Sequence, residues 1–206
     1  EQIASETIVS LSELSTGQNI FQFSKNKTIN KIKENPYIES VKIERKLPNQ
    51  IQIQVQERKK DFNVEFLNGY IYINKQGYIL ETSEQKIEAP TIQGISTPED
   101  QIVPGNRLQT EDLEKLEVVM QIMNIAQNYE LDTKITNIDI TNKNQYTMYI
   151  AEEKKTVYLG DKTNLSNKML YVQAILEKNE GKEGYIYVDG DLNNNFKPRF
   201  RESVEV

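Results

Sequence analysis

The side chains in this sequence that could do chemistry are carboxylates and cations, because histidine and cysteine are both absent. Without His, the commonest general base, the usual metal ligand and the activator of a serine nucleophile are missing. Without Cys there is no thiol nucleophile, thiolate metal site or disulfide, and the redox compartment stays open. What remains are acidic pairs such as Glu111 with Asp112 and Glu152 with Glu153, which could do glycosidase-type acid–base work only by converging in a cleft. Adjacent residues seldom converge, and the expected role is a solvated turn or an acidic helix N-terminus. The run Asp189-Gly190-Asp191-Leu192-Asn193-Asn194-Asn195 opens like a calcium loop, but its sixth position is Asn194 rather than Gly and its twelfth is Phe200 rather than Glu. A solvated loop between strands is expected there. No catalytic residue, cofactor or metal site is assigned, and the chain is expected to be non-enzymatic.

The C-terminal stretch offers chemistry of another kind. Lys197, Arg199 and Arg201 alternate with Phe196, Pro198 and Phe200, so a strand over 196–201 collects positive charge on one face of a protein whose net charge is -6. Pro198 has no N–H to give to a ladder, which puts this strand at a sheet edge. An edge offers backbone groups to an incoming strand, with the alternating side chains selecting it by charge. Lys, Arg and Pro also guard edges against aggregation, and the residues alone do not choose between the two. Arg45 reads as a cross-strand contact to Gln and Glu of a neighbouring strand, and Pro48 as a turn former.

The elements that must hold these residues follow from periodicity. Ser5 is expected to cap a helix over 6–14 carrying Ile8, Leu11 and Leu14, with Gly17 beyond its end. A shorter helix over 28–34 stops before Asn35-Pro36. Val41 and Ile43 alternate with charged residues, Leu47-Pro48-Asn49 turns, and Ile51, Ile53 and Val55 alternate with Gln52, Gln54 and Gln56, which makes a hairpin with one wet face. Isolated hairpins are marginal in water, so a third strand is expected, and none is found upstream. A charged break at 57–61 sets a domain boundary, giving units 1–60 and 61–206.

Beyond the break, Phe62, Val64 and Phe66, a type I′ turn at Asn68-Gly69, and strands at 70–73 and 78–80 read as a meander. After a polar connector with Pro90, Pro98 and Pro104-Gly105, Thr110 is expected to cap a helix reaching about 128 with Leu113, Leu116, Met120 and Met123 on its inner face. Strands at 135–140, 146–150 and 156–159 should be antiparallel, and a second long helix carries Leu165, Met169, Val172 and Leu176. Strands at 185–188 (Tyr185, Ile186, Tyr187, Val188) and 196–201 close the chain. The fold class is α+β, with two helices on a short sheet followed by a larger, mostly antiparallel β domain with two long helices.

Composition narrows the function further. With 206 residues, 37% hydrophobic and 27% charged, the chain can build one medium domain or two small ones. Its acidic balance gives no pull on nucleic acid or anionic lipid surfaces. Apolar runs such as 70–73 fall short of the ~18–20 residues a membrane span needs, so this piece reads as soluble. It starts at Glu1 with no signal sequence and looks like an excised piece.

One resemblance covers nearly the whole chain. A capped helix, Gly17-x-Asn19-Ile20-Phe21, Asn35-Pro36-Tyr37-Ile38, Val41-x-Ile43-x-Arg45-x-Leu47-Pro48 and Ile51-x-Ile53-x-Val55-x-Glu57-Arg58 together resemble the POTRA domain of the FtsQ/DivIB bacterial cell-division family. Asn68-Gly69-Tyr70, Gly77, Pro90-x-Ile92-x-Gly94 and Val157-x-Leu159-Gly160 look like that family's β domain. Tyr37 and Leu47 stand where the family often has Trp and another aromatic. The family's POTRA begins with a strand ahead of the first helix, and this chain starts near that strand's end. The resemblance implies a divisome scaffold at the septum, tethered by one transmembrane helix ahead of Glu1, lying outside the cytoplasmic membrane and binding FtsL and the DivIC/FtsB partner. It also tips the C-terminal edge toward binding, with Tyr185, Ile186, Tyr187, Val188, Phe196, Lys197, Pro198, Arg199, Phe200 and Arg201 as the expected contact window. The alternative is a chaperone-like POTRA module of a secretion or outer-membrane assembly system.

Overall fold

The structure is a computed structural model, and the residues it describes are 3–67, 69–191 and 196–203. The first unit consists of α1 (Ser5–Ser12), α2 (Lys25–Lys33) and an antiparallel hairpin of β1 (Ile38–Lys46) and β2 (Gln50–Glu57). Its alternation is as expected: Gln50, Gln52, Gln54 and Gln56 are exposed, while Ile51, Ile53 and Val55 pack against a small core of Ile8, Ile32, Ile38 and Ile43. Ser24 caps α2 by accepting the Lys27 N–H, so this helix starts earlier than its apolar residues suggested. Ser5 is not a cap. It is the first helical residue behind an extended Ala4, and α1 ends at a left-handed Glu13 well before Gly17. Among the described residues this sheet has two strands, and the Ile3 N–H donates to the Glu57 carboxylate at 3.3 Å, laying the chain against the end of β2.

Arg45 is structural, but not through the cross-strand contacts expected of it. Its Nε donates to the Ile20 carbonyl at 2.6 Å and its Nη2 to the Phe23 carbonyl at 3.2 Å, with the guanidinium 4.7 Å from the Phe23 ring. It pins the segment between the two helices onto the sheet.

Among the described residues the second unit has a sheet of nine strands: β3 (Phe62–Phe66), β4 (Gly69–Ile73), β5 (Ile79–Ser83), β6 (Thr91–Gln93), β7 (Ile135–Asp139), β8 (Tyr146–Ile150), β9 (Lys155–Gly160), β10 (Gly184–Tyr187) and β11 (Arg199–Glu202). The order across it is β11-β10-β9-β8-β7-β6-β3-β4-β5. β3 pairs with β6, β6 with β7, and β9 with β10 in parallel, and the other pairs are antiparallel. Parallel neighbours need a crossover. α3 (Thr110–Gln127) joins β6 to β7, and α4 (Leu165–Lys178) joins β9 to β10. Both crossovers step in the same direction between strands that run the same way, so a common handedness puts both helices on one face. Val119, Ile122, Ala126, Met169 and Val172 meet Ile138, Met148, Val157 and Ile186 there in a single core. Each such side chain contributes about 1.5–3 kcal/mol on burial.

Three features differ from expectation. β6 was hidden in the polar connector. Thr110 is the first residue of α3 and not its cap, since Gln109 precedes the helix without a side-chain cap bond. The buried face of α3 centres on Leu116, Val119, Ile122 and Ala126, leaving Leu113, Met120 and Met123 only partly covered. Asn68, half of the expected hairpin turn, lies outside the described residues.

Candidate functional site

The nine-stranded sheet has two ends, and they differ. At the β5 end the backbone of Ile79, where that strand starts, is occupied: its N–H donates to the Asn106 carbonyl, and the Gly105 N–H donates to its carbonyl, both at 2.8 Å. The first unit docks at the same end. Glu81 on β5 accepts from Tyr37 Oη and from Lys60 Nζ, the latter at 2.8 Å. Burial and the Glu81 carboxylate push the Tyr37 phenol above its usual range, while Lys60 and Tyr37 hold the Glu81 carboxyl below its own. Arg58, at the junction, donates from Nη1 to the carbonyls of Pro36 at 2.7 Å and Ile38 at 2.8 Å, and its guanidinium lies 3.9 Å from the Tyr78 ring centre.

At the other end β11 lies outermost, and among the described residues it pairs only with β10. Its register sets Tyr185 opposite Arg201, Ile186 opposite Phe200 and Tyr187 opposite Arg199. The ladder continues to a Ser203 N–H donating to the Glu183 carbonyl at 3.0 Å. Facing pairs in an antiparallel ladder alternate between hydrogen-bonded and non-bonded. The odd-numbered positions 199, 201 and 203 therefore turn their N–H and C=O groups toward β10. Phe200 and Glu202 turn theirs outward. Pro198 falls on the outward parity too, where its missing N–H removes nothing from the β10–β11 ladder.

Glycine at 184 allows this pairing. Its φ is +154°, and a Cβ there would stand 2.2 Å from the Arg201 carbonyl oxygen. Gly190 does the same for the approach to β11, because a Cβ on it would meet the Phe196 ring at 2.0 Å.

The sequence-derived window divides by burial. Ile186 and Val188 are fully buried, so their side chains belong to the core and not to the surface. Lys197, Arg199 and Arg201 are exposed, with Phe196, Pro198 and Phe200 half-buried between them. Strand structure covers only part of the expected 196–201 span, beginning at Arg199 and adding Glu202. Tyr185 and Tyr187 lie on the sheet face away from the helices, where Tyr187 stacks on Tyr158 of β9 with ring centres 5.0 Å apart. Arg199 sits over Tyr187 at 4.7 Å. Tyr158 and Glu202 escape a sequence reading, because only the register sets them beside Tyr187 and on the outward parity.

Asp112 is fully buried rather than solvated: it accepts from the N–H and Oγ of Ser96 and from the N–H and Oγ1 of Thr97 at 2.6–2.9 Å. Burial raises its pKa, but the bonds from Thr97 and Ser96 outweigh it and hold the carboxyl below its usual range. Glu153 pairs at 2.7 Å with Lys155, which is fully buried. Among the described residues no group of three or more acidic side chains could hold a metal ion. Residues 192–195 of the calcium-like run lie outside the described residues.

Comparison with known proteins adds the following. Residues 1–58 match the POTRA domain of FtsQ type, and residues 64–190 match the C-terminal domain of the cell division protein FtsQ/DivIB. The chain is 31% identical over 196 residues to the cell division protein DivIB of Clostridium botulinum (strain Hall), covering 93% of this chain and 75% of that protein. It is 29% identical over 190 residues to DivIB of Clostridium acetobutylicum, covering 90% and 74%. With DivIB of Staphylococcus aureus (strain NCTC 8325) it shares 27% identity over 177 residues, 81% of this chain but 37% of that protein. The domain match ends at residue 190, ahead of β11.

Proposed function

The chain belongs to the FtsQ/DivIB family of bacterial cell-division proteins, and from that premise we propose that it is a divisome scaffold whose β11 edge takes up a strand from a septal partner. The partners in this reading are the ectodomains of FtsL and DivIC/FtsB. The protein lies on the extracytoplasmic side at the septum, held by a membrane anchor ahead of residue 1. Among the described residues no helix is long and apolar enough to cross a membrane.

The observation that carries the reading is the asymmetry of the sheet. At its β5 end residues 105–106 bond the backbone of Ile79 and the first unit holds the Glu81 side chain, while β11 presents the N–H and C=O groups of Phe200 and Glu202 outward. An incoming strand pairs with those groups for affinity, and its side chains are read by Arg199 and Arg201 on one face and Phe200 on the other. Tyr185, Tyr187, Lys197 and Phe196 border that track. Pro198 adds a carbonyl but no donor, which limits the pairing window to the stretch after it.

Deleting residues 196–206 tests this directly. Binding of the FtsL and DivIC/FtsB ectodomains should be lost while the far-UV circular dichroism stays that of a folded protein. A folded truncation that binds them as tightly as the intact chain would overturn the assignment.

A further inference from the structure

An open strand edge is a template for any strand, including that of a second copy, and the registers available to such a copy can be enumerated. A closed dimer through one edge is isologous, and its two-fold axis sets the two β11 strands antiparallel. Only outward-pointing residues exchange hydrogen bonds across the new junction, so even-numbered positions must face even-numbered positions.

Within the described part of the strand three registers result. If Phe200 faces Phe200, Arg199 of each copy stands directly opposite Arg201 of the other. If Phe200 faces Glu202, Arg201 stands opposite Arg201 at the two-fold axis. If Glu202 faces Glu202, two carboxylates meet, and that register exchanges bonds at Glu202 alone among the described residues. Directly opposed residues share a sheet face at close range, and like charges there destabilise the pairing. Arg199 and Arg201 are exposed with no ion-pair partner among the described salt bridges, and Glu202 has only an exposed contact to Lys182 at 3.5 Å.

We infer that Arg199, Arg201 and Glu202 form a self-exclusion code, which refuses a second copy of this chain in each two-fold register and leaves the edge to a strand of opposite charge. This needs only the open edge, not the identity of the strand that binds it, so it stands or falls apart from the assignment of FtsL and DivIC/FtsB.

Reversing one charge should break the code. Arg201→Glu makes the register centred on Phe200 self-complementary, because Arg199 of each copy then opposes one carboxylate of the other, giving two opposite-charge pairs per dimer. Adding Arg199→Glu restores like-charge opposition. The three proteins are compared by sedimentation velocity at high protein concentration and low ionic strength. They are compared again by oxidation of a Phe200→Cys variant in each background. The chain has no other cysteine. Bonded antiparallel pairs have Cα atoms about 5.5 Å apart, within disulfide reach. Arg201→Glu should dimerise and cross-link about tenfold or more above the unreversed chain, an effect lost in high salt, and the double reversal should return to baseline. The inference is overturned if Arg201→Glu stays at baseline in both measurements, or if the unreversed chain itself dimerises through position 200.

Discussion

Arg58→Ala should destabilise the first unit while leaving the second unchanged. The first unit has a core of four isoleucines, Ile8, Ile32, Ile38 and Ile43, which is small for independent stability. Arg58 braces it from within through two hydrogen bonds to the Pro36 and Ile38 carbonyls and reaches the second unit through a stacking contact on Tyr78. Bonds from a charged donor are worth about 1.5–3 kcal/mol each, and the contact to the ring about 0.5–2 kcal/mol. Against them stands the buried Arg58 Nε, which has no hydrogen-bond partner and costs about 1–3 kcal/mol. The net is about 3 kcal/mol of stability for the first unit carried by one side chain. With a urea slope of about 1–1.5 kcal/mol per molar for so small a unit, its unfolding midpoint should fall by about 2 M. Residue-resolved NMR follows the units separately, with the amides of Ile32 and Ile43 reporting on the first and those of Ile138 and Val157 on the second. Ile32 and Ile43 should unfold early while Ile138 and Val157 hold their midpoint. A shift at Ile32 and Ile43 below about 0.3 M would refute this role of Arg58. Arg58→Lys should lose at least half as much, because one ammonium cannot reproduce the planar stack together with two carbonyl contacts.

Further outcomes follow from the other polar contacts. Asp112→Asn should cost about 2–3 kcal/mol by weakening the bonds that the buried carboxylate accepts from exposed Ser96 and buried Thr97, and it should flatten the acid limb of stability. Because the folded carboxyl titrates below the unfolded value, its contribution is whole above about pH 4 and is lost as pH falls through the lower folded pKa. Urea midpoints measured through the acid range check both points. Glu153→Ala strands the buried Lys155 ammonium and should destabilise by about 3 kcal/mol, whereas Lys155→Met should be neutral or stabilising in thermal melts. Glu202→Pro removes an outward N–H without touching the β10 ladder, so partner affinity in calorimetry should fall about tenfold with the fold intact. Arg201→Pro strikes the inward parity and should detach β11 itself, seen as loss of protection at Tyr185.

The parts of this molecule legible in the sequence are those whose signals are local. The β1–β2 hairpin shows itself because Ile51, Ile53 and Val55 alternate with glutamines along one wet face, and α4 because Leu165, Met169, Val172 and Leu176 recur at helical spacing. β6 does not, since three residues behind Pro90 carry too little alternation and both of its neighbours, β3 and β7, are parallel strands distant in the chain. Asp112 looks like an ordinary acidic first turn until the 96–97 loop folds back onto it. Arg45 likewise finds its acceptors in carbonyls of Ile20 and Phe23, which periodicity cannot pair with it. At the C-terminal edge the alternation of Lys197, Arg199 and Arg201 was visible, but the outward parity of Phe200 and Glu202, the burial of Ile186 and Val188, and the Tyr158 stack depend on register with β10 and β9.

Amide hydrogen exchange of β11, followed by NMR in the free protein and in complex with the FtsL and DivIC/FtsB ectodomains, tests strand addition most directly. In the free protein the amides of Arg201 and Ser203 should be protected by β10 while those of Phe200 and Glu202 exchange freely. On complex formation Phe200 and Glu202 should slow by about a hundredfold or more, with Arg201 and Ser203 little changed. A complex that forms while Phe200 and Glu202 keep exchanging at the free rate would show that the partner binds elsewhere.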